Sequence, residues 1–271
     1  MSKKPKKDEG AARARNRYQS LIERIFSGHY EKGMREFYFV REEIKSAAAD
    51  LHIELPMNVG DVLYALRFRT PMPAHIVATQ PPGFEWIIEL AGRAKYKFSL
   101  AKKSRIVPNQ NLARIKIPNS TPEIIAAYVI DDEQALLAKV RYNRLIDIFL
   151  GLTTFSLQNH LRTTTTGMGQ IEIDELYVGL DKFGCHYVIP VQAKGGKDQI
   201  SIVQTRQDMA WCAPRYPELG CRPISAQFIT PELIALFELT VEGDEIRVVE
   251  ERHYQLVPGS ELSRADTAAY R

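Results

Sequence analysis

Apolar residues recur at helical spacing in the first quarter of the chain. Between Tyr18 and Gly28 they stand three or four positions apart, which predicts an amphipathic helix that ends at Gly28. A second helix is predicted over residues 41–51. Asp61 is placed to cap a third helix, Val62 to Arg69, which the following TPMP stretch stops. We therefore expect three short helices before the pattern changes.

Two strand-like runs follow these helices. They cover Phe84 to Leu90 and Lys95 to Leu100, and a short Ala-Gly-Arg-Ala connection joins them. The order of three helices and a hairpin resembles a winged helix, in which the hairpin would be the wing. We expect a small winged-helix-like domain over residues 18–120. Residues 1–17 are polar and basic, which predicts a disordered tail that either contacts DNA phosphates or only solubilises the chain.

The second half mixes helical and strand patterns. A linking helix is predicted over residues 133–150, and Gly151 ends it. Two β-rich arms, residues 170–180 and 186–194, flank a turn-like Asp-Lys-Phe-Gly and predict a β-hairpin.

A further helix and a further strand are expected after this hairpin. The helix begins near Gln199, and the strand runs from Arg222 to Ile229. The fold class that we expect for residues 121–271 is α/β (α+β), with a mixed central sheet flanked by helices.

Charge divides the chain unevenly although the net charge is only +3. Residues 1–120 sum to about +10 and residues 121–271 to about −7. A basic half beside an acidic half favours phosphate contact by the first and a metal site in the second. Charge alone does not distinguish nucleic acid from another anionic partner.

The most one-sided segment lies between residues 91 and 116, which hold eight basic residues and no acidic one. Basic side chains on a wing bind the DNA backbone without reading sequence. Arg67 and Arg69 on the third helix are candidates for reading base edges in the major groove. The candidate phosphate-binding residues are Arg93, Lys95, Lys97, Lys102, Lys103 and Arg105. The alternatives are a solvated basic loop and, for each arginine, a surface ion pair.

Several classes of protein are excluded or disfavoured. The three cysteines form no CxxC pair, which argues against a disulfide framework and a structural zinc site. No apolar run is long enough to cross a membrane, so a cytoplasmic protein is expected. No phosphate-binding loop, HExxH or GxSxG motif occurs, and no nucleotide cofactor is expected.

The hairpin arms carry polar side chains suited to phosphodiester hydrolysis. By strand alternation Glu172 and Asp174 share one face of the first arm, and Gln192 and Lys194 share one face of the second. Glu175 is predicted to face solvent. Hydrolysis needs a carboxylate and a second oxygen ligand for a hard cation, and a positive group beside the phosphate. Adjacent antiparallel strands can bring these groups together.

These motifs resemble the PD-(D/E)xK nuclease superfamily, which has an acid on one strand and an (E/D/Q)xK tripeptide on the next. Here they read Ile173-Asp174-Glu175 and Gln192-Ala193-Lys194. The resemblance implies that Asp174 and Gln192 bind Mg²⁺, with Mn²⁺ as a possible substitute, and that Lys194 activates water or steadies phosphate charge. It also implies that Gln204, on the next helix, points back at the site. Glu172 is an additional candidate ligand.

The chain more broadly resembles a restriction-type endonuclease with an N-terminal DNA-reading domain. That likeness implies double-stranded DNA as substrate, a homodimer, and possibly a cognate methyltransferase. Two alternatives remain open: a repair or recombination nuclease that recognises DNA structure, and a non-catalytic DNA-binding regulator with a degenerate nuclease fold. The regulator remains an alternative because Gln192 replaces the acid that most members of the superfamily have at this position.

Overall fold

The computed structural model describes residues 6–68, 70–102, 106–128, 132–165, 167–195, 200, 202–242 and 245–268. Contacts divide the chain into two compact units. Unit 1 comprises residues 1–103 and 166–170, and unit 2 comprises residues 104–165 and 171–271. One domain boundary is predicted from the sequence near residue 120; the compact units divide at residue 104 and again around the 166–170 segment. No described helix is long and apolar enough to span a bilayer.

Unit 1 combines helices with a three-stranded antiparallel sheet in the order β1-β3-β2. The two strands of the predicted hairpin are confirmed as β2 and β3, and the second helix as α2. The elements are α1 Lys6–His29, β1 Glu36–Val40, α2 Arg41–Asp50, α3 Gly60–Phe68, α4 Ala74–Val77, β2 Phe84–Leu90 and β3 Lys95–Lys102.

Aromatic side chains fill the core of unit 1. The apolar stripe predicted on the first helix is buried, and its last member, Phe26, is fully enclosed. The Phe26 ring stacks on Tyr30 at 4.8 Å between centroids and meets Trp86 and Phe98 edge-on at 5.4 and 5.3 Å. Such edge-on pairs add stability beyond the burial of apolar area. The core therefore joins α1 to the hairpin strands.

Three details of unit 1 differ from the sequence prediction. Helix α1 already begins at Lys6, where a tail through residue 17 was expected. Strand β1 was not predicted because its five residues are too short for a clear period, although every second one is buried. Helix α3 begins at Gly60, whose N–H is accepted by the Asn58 side chain at 3.1 Å, so Asn58 caps it and Asp61 does not.

Unit 2 contains a mixed eight-stranded sheet in the order β4-β11-β10-β9-β7-β6-β5, with β8 also paired to β7. Its helices are α5 Glu123–Tyr128, α6 Asp132–Tyr142, α7 Leu145–Leu150, α8 Ile202–Arg215 and α9 Arg264–Ala268. Its strands are β4 Arg114–Pro118, β5 Thr153–Thr165, β6 Gly169–Leu180, β7 His186–Lys194, β8 Gly220–Cys221, β9 Ile224–Thr230, β10 Leu233–Glu242 and β11 Glu245–Val257. The expected mixed sheet with flanking helices is confirmed.

Helices cover both faces of this sheet around β7. On one face, Leu136 of α6 and Ile146 of α7 share a buried cluster with Val191 of β7. On the other, Trp211 of α8 packs with Ile173 and neighbouring strand residues. Strand β7 pairs antiparallel with β6 and parallel with β9. It is therefore a central strand whose end is enclosed on both faces.

The predicted linking helix is divided in two. Helix α6 ends at Tyr142, and α7 begins at Leu145 after Arg144, whose φ of 51° is left-handed. The Asn143 side chain accepts the N–H of Ser120 and donates to Thr121 Oγ1 at 2.9 Å. Asn143 follows the last residue of α6, and its side chain bonds both to the Lys139 main-chain oxygen of that helix and to Ser120 and Thr121 outside it. The chain turns here into α7, which ends before Gly151.

Candidate active site

Side chains replace the backbone ladder at one end of the β6–β7 hairpin. The antiparallel register runs from Leu180↔His186 to Glu175↔Val191. Beyond that pair, the Ala193 N–H donates to Asp174 Oδ2 at 2.7 Å, and Gln192 Nε2 donates to the Glu172 main-chain oxygen at 3.0 Å. The predicted polar residues thus lie together where the ladder ends.

The alternation of faces along β6 is interrupted at this point. Ile171, Ile173 and Leu176 all belong to the cluster that contains Trp211 of α8. Leu176 is three residues from Ile173, which regular alternation would place on the opposite face. The irregularity falls at Asp174 and Glu175, because a carboxylate and not a peptide oxygen accepts the Ala193 N–H.

The Gln192 side chain connects β7 to α8. Its Nε2 donates to Asp208 Oδ2 at 3.0 Å and to Oδ1 at 3.2 Å. Its Oε1 accepts a hydrogen bond from Gln204 Nε2 at 3.3 Å. The structure thus brings Gln204 to the Gln192 end of the hairpin and adds Asp208, a residue the sequence analysis missed. The available signal was the spacing of Gln204 and Asp208, four residues apart on one helix face.

Asp174 and Lys194 are both enclosed at the strand ends. Lys194 is 4% exposed, in register with Gln227 of β9. Burial raises the pKa of Asp174, while the positive charge of Lys194 and the Ala193 N–H act in the opposite direction. The two side chains are therefore close enough to interact electrostatically. A partly buried acid beside a buried amine is an arrangement found at functional sites.

Asp208 is the most deeply buried acid of this group, at 2% exposure. Burial raises the pKa of its carboxyl well above the ordinary value, although the amide of Gln192 opposes the shift. The negative charge of Asp174 also raises it. Two acids, one lysine and two amides therefore form one compact polar group between β6, β7 and α8.

The other two acids of β6 have different partners. The Glu172 carboxylate is exposed and pairs with Arg162 Nε at 3.2 Å, and its charge adds to the raised pKa of Asp174; its main-chain oxygen accepts the hydrogen bond from Gln192. The prediction that Glu175 faces solvent is wrong, because its side chain is fully buried. Glu175 Oε1 accepts hydrogen bonds from Arg141 Nε at 2.9 Å and Ser156 Oγ at 2.8 Å. Glu175 thus lies towards α6, away from Gln192.

The donor set fits a hard cation that keeps much of its water. Among the residues that the structure describes, no group of three or more His, Cys, Asp or Glu side chains could hold a metal. The oxygens that the polar group does offer are the Asp174 carboxylate and the amide oxygens of Gln192 and Gln204. Mg²⁺ is commonly bound by one or two carboxylates with several waters retained. Asp174 would hold such an ion, with an amide oxygen as second ligand.

The candidate DNA-binding residues of unit 1 are not equivalent. Arg93 and Lys95 lie exposed at the hairpin turn, and Lys102 is exposed at the end of β3. Lys97 instead lies 3.5 Å from both Glu36 and Glu89; burial opposes its charge, but these acids leave its pKa raised. The positive charge of Lys97 is therefore already balanced by these two acids. Arg69, Lys103, Arg105 and the side chain of Arg67 lie outside the described residues.

Comparisons with family models, with curated proteins and with solved structures found no match to this chain.

Proposed function

We propose that this protein is a Mg²⁺-dependent endonuclease that hydrolyses DNA phosphodiester bonds. The observation that carries the proposal is the grouping of Asp174, Gln192 and Lys194 at the open end of one hairpin ladder, closed over by α8. An acid, an amide oxygen and an amine on adjacent strand ends are the groups that metal-assisted phosphodiester hydrolysis requires. They also follow the order of the PD-(D/E)xK motifs.

Each residue has a distinct chemical role in this proposal. Asp174 is fixed by the Ala193 N–H, so that its carboxylate is held ready for a cation at little further cost in entropy. Lys194 supplies a positive charge that steadies the phosphate and the attacking water, and its burial strengthens that interaction. A bound Mg²⁺ would lower the pKa of water and polarise the phosphate.

Unit 1 would supply the DNA contact. Its third strand, β1, pairs with β3 beside the predicted hairpin, and the order helix–strand–three helices–hairpin is compatible with a winged helix. Exposed Arg93 and Lys95 at the turn would contact phosphates as a wing does. The specific proposal is a type II restriction-type enzyme that cuts both strands as a homodimer.

Cleavage of a long duplex tests this function. Wild-type protein with Mg²⁺ should convert DNA into discrete fragments, and EDTA should stop the reaction. Lys194→Met should fold and bind DNA but not cleave. Absence of cleavage by the wild type, with tight salt-sensitive DNA binding, would overturn the nuclease and favour the regulator.

Two other functions remain as candidates. The regulator is favoured by Gln192, which removes a carboxylate from the site, and by the small number of acids grouped there. A repair or recombination nuclease would have the same site but would cut only branched or flapped DNA. Offering linear, branched and flapped duplexes in one assay separates these two from a restriction-type enzyme.

A further inference from the structure

The amides of Gln204 and Gln192 and the acid Asp208 form a directional chain of hydrogen bonds. Gln204 donates from Nε2 to Gln192 Oε1 at 3.3 Å, and Gln192 donates from Nε2 to both Asp208 oxygens at 3.0 and 3.2 Å. Gln192 and Asp208 are 3% and 2% exposed. Every link therefore points the same way, towards the buried acid.

An amide side chain fits a position of this kind in either of two flipped orientations, because its oxygen and nitrogen ends have nearly the same shape. At Gln192 two acceptors determine the orientation, because Asp208 and the main-chain oxygen of Glu172 both lie at the same end of the amide group. That end must be the nitrogen, since an amide oxygen there would meet acceptors only. Gln192 Oε1 then faces Gln204, which must turn its own nitrogen towards it.

The far end of this chain is an oxygen without a donor. Gln204 Oε1 is buried and accepts no hydrogen bond among the residues that the structure describes. A buried polar atom that lacks a partner within the protein can be satisfied by a water or an ion. A lone amide oxygen accepts either a hydrogen-bond donor or a cation.

We propose that Asp208 sets the direction of both amides, so that Gln204 presents Oε1 to a hydrated divalent cation bound at Asp174. Asp208 is thus a positioning residue that acts through Gln192 and Gln204. The inference rests on the proposed metal-dependent function, and it names the residue that prepares the second oxygen ligand.

The same chain gives a reason for an amide at position 192. A glutamate there would set its carboxylate against that of Asp208 in a buried site, which repels unless one of them is protonated. Gln192 instead donates to the acid and passes the direction on to Gln204. In the PD-(D/E)xK pattern an acid usually stands at the first position of the strand tripeptide. Here the amide of Gln192 stands at that position, and the acid Asp208 lies on the helix.

Mn²⁺ binding tests the proposal, with isothermal titration of the metal alone into the full-length protein. Asp208→Asn should weaken Mn²⁺ binding by about 10- to 100-fold, as is usual when a residue that orients a ligand is changed. The double variant Gln192→Glu/Asp208→Asn should restore most of the affinity, because it places the acid on the strand and a donor on the helix. Glu238→Gln is the control: it changes a buried acid paired with Arg222 at 2.6 Å and should leave Mn²⁺ affinity unchanged.

NMR of the metal-free protein supplies a readout independent of metal. In Asp208→Asn the side-chain NH₂ signals of both Gln192 and Gln204 should shift, whereas Glu238→Gln should move neither. Unchanged Mn²⁺ affinity in Asp208→Asn, or a Gln204 signal that does not respond, overturns the positioning role. A wild-type protein that binds no Mn²⁺ while both NH₂ signals shift would overturn the proposed metal function and the cation at Gln204, but not the hydrogen-bond chain itself.

Discussion

The Glu175 carboxylate is fully buried, and its bonded cation, Arg141, reaches it from α6 with a half-exposed side chain. Ser156 donates a second hydrogen bond to the same carboxylate. Burial opposes the charge of Arg141, but its hydrogen bond to Glu175 leaves its pKa raised. The pair thus holds the side chain of Glu175, which follows Asp174 on β6, on the face of the sheet that α6 covers.

Removing the cation of this pair should destabilise the fold. Arg141→Met leaves a buried carboxylate without its partner, and we expect a loss on the order of 3 kcal/mol in the free energy of unfolding. Urea denaturation measures it. The matched variant Arg144→Met removes an exposed arginine that pairs with Asp147, whose carboxylate keeps its hydrogen bonds from Thr154, and should cost less than about 1 kcal/mol. Equal losses in the two variants would contradict the role of the buried pair.

Tyr254 gives a pH-dependent prediction in the core of unit 2. Burial raises the pKa of its phenol to about 12. The unfolded chain releases this proton near the ordinary value of 10, while the folded chain keeps it, so stability is present below pH 10 and is lost as pH rises towards 12. Tyr254→Phe should therefore lose less stability between pH 8 and pH 11 than the wild type, by on the order of 1 kcal/mol. Urea denaturation measures this. The same difference in the free energy of unfolding between the two proteins at pH 8 and pH 11 would contradict the prediction.

At the scale of elements, the β2–β3 hairpin carries two kinds of basic side chain: exposed ones, and one that is paired with acids. Arg93 and Lys95 lie exposed at its turn, whereas Lys97 pairs with Glu36 and Glu89. Arg93→Gln/Lys95→Gln should weaken duplex binding and reduce the slope of log affinity against log salt by about 0.9 for each phosphate that is no longer neutralised. Fluorescence anisotropy across a salt series measures both quantities.

Two further variants make this DNA-binding test specific. Lys97→Gln should change affinity much less, because its charge is already balanced by two acids. Lys45→Gln, which changes a lysine paired with Glu42 on α2, is the control. A larger loss of affinity in Lys97→Gln than in the turn variant would argue against the hairpin turn as the DNA contact.

Elements with a strong local period could be predicted from the sequence. The two hairpins have their expected strands because alternation and turn residues act within a few positions. The break between α6 and α7 could not be predicted, since Asn143 bonds to residues more than twenty positions away. Helix α8 and strand β9 have the expected order, with ends shifted by one to three residues.

The site was predictable in part for the same reason. Asp174, Gln192 and Lys194 share one hairpin, so their proximity followed from local pairing. Asp208 lies on a helix packed on that hairpin, and its contact with Gln192 depends on tertiary packing that sequence periodicity does not contain. Glu175 was assigned to solvent because simple alternation did not include the irregularity in β6 or the cation on α6.

At the scale of the whole molecule, charge follows the sequence halves more closely than the compact units. The basic residues Arg114 and Lys116 lie on β4, in the sheet of unit 2, and Lys116 pairs with Asp266 at 3.1 Å. The exposed basic turn belongs to unit 1, and the buried acids belong to unit 2. In the proposed function, unit 1 would bind phosphates and unit 2 would carry out the chemistry.

The rate of Mg²⁺-dependent cleavage in two matched acid variants tests the central claim most directly. Asp174→Asn removes the charge that would hold the ion. Asp147→Asn changes an acid of similar size that accepts hydrogen bonds from the N–H and Oγ1 of Thr154, away from the polar group. Duplex cleavage by Asp147→Asn at the wild-type rate, with none by folded Asp174→Asn, is the result we predict. Cleavage by Asp174→Asn at the wild-type rate would contradict the proposed active site.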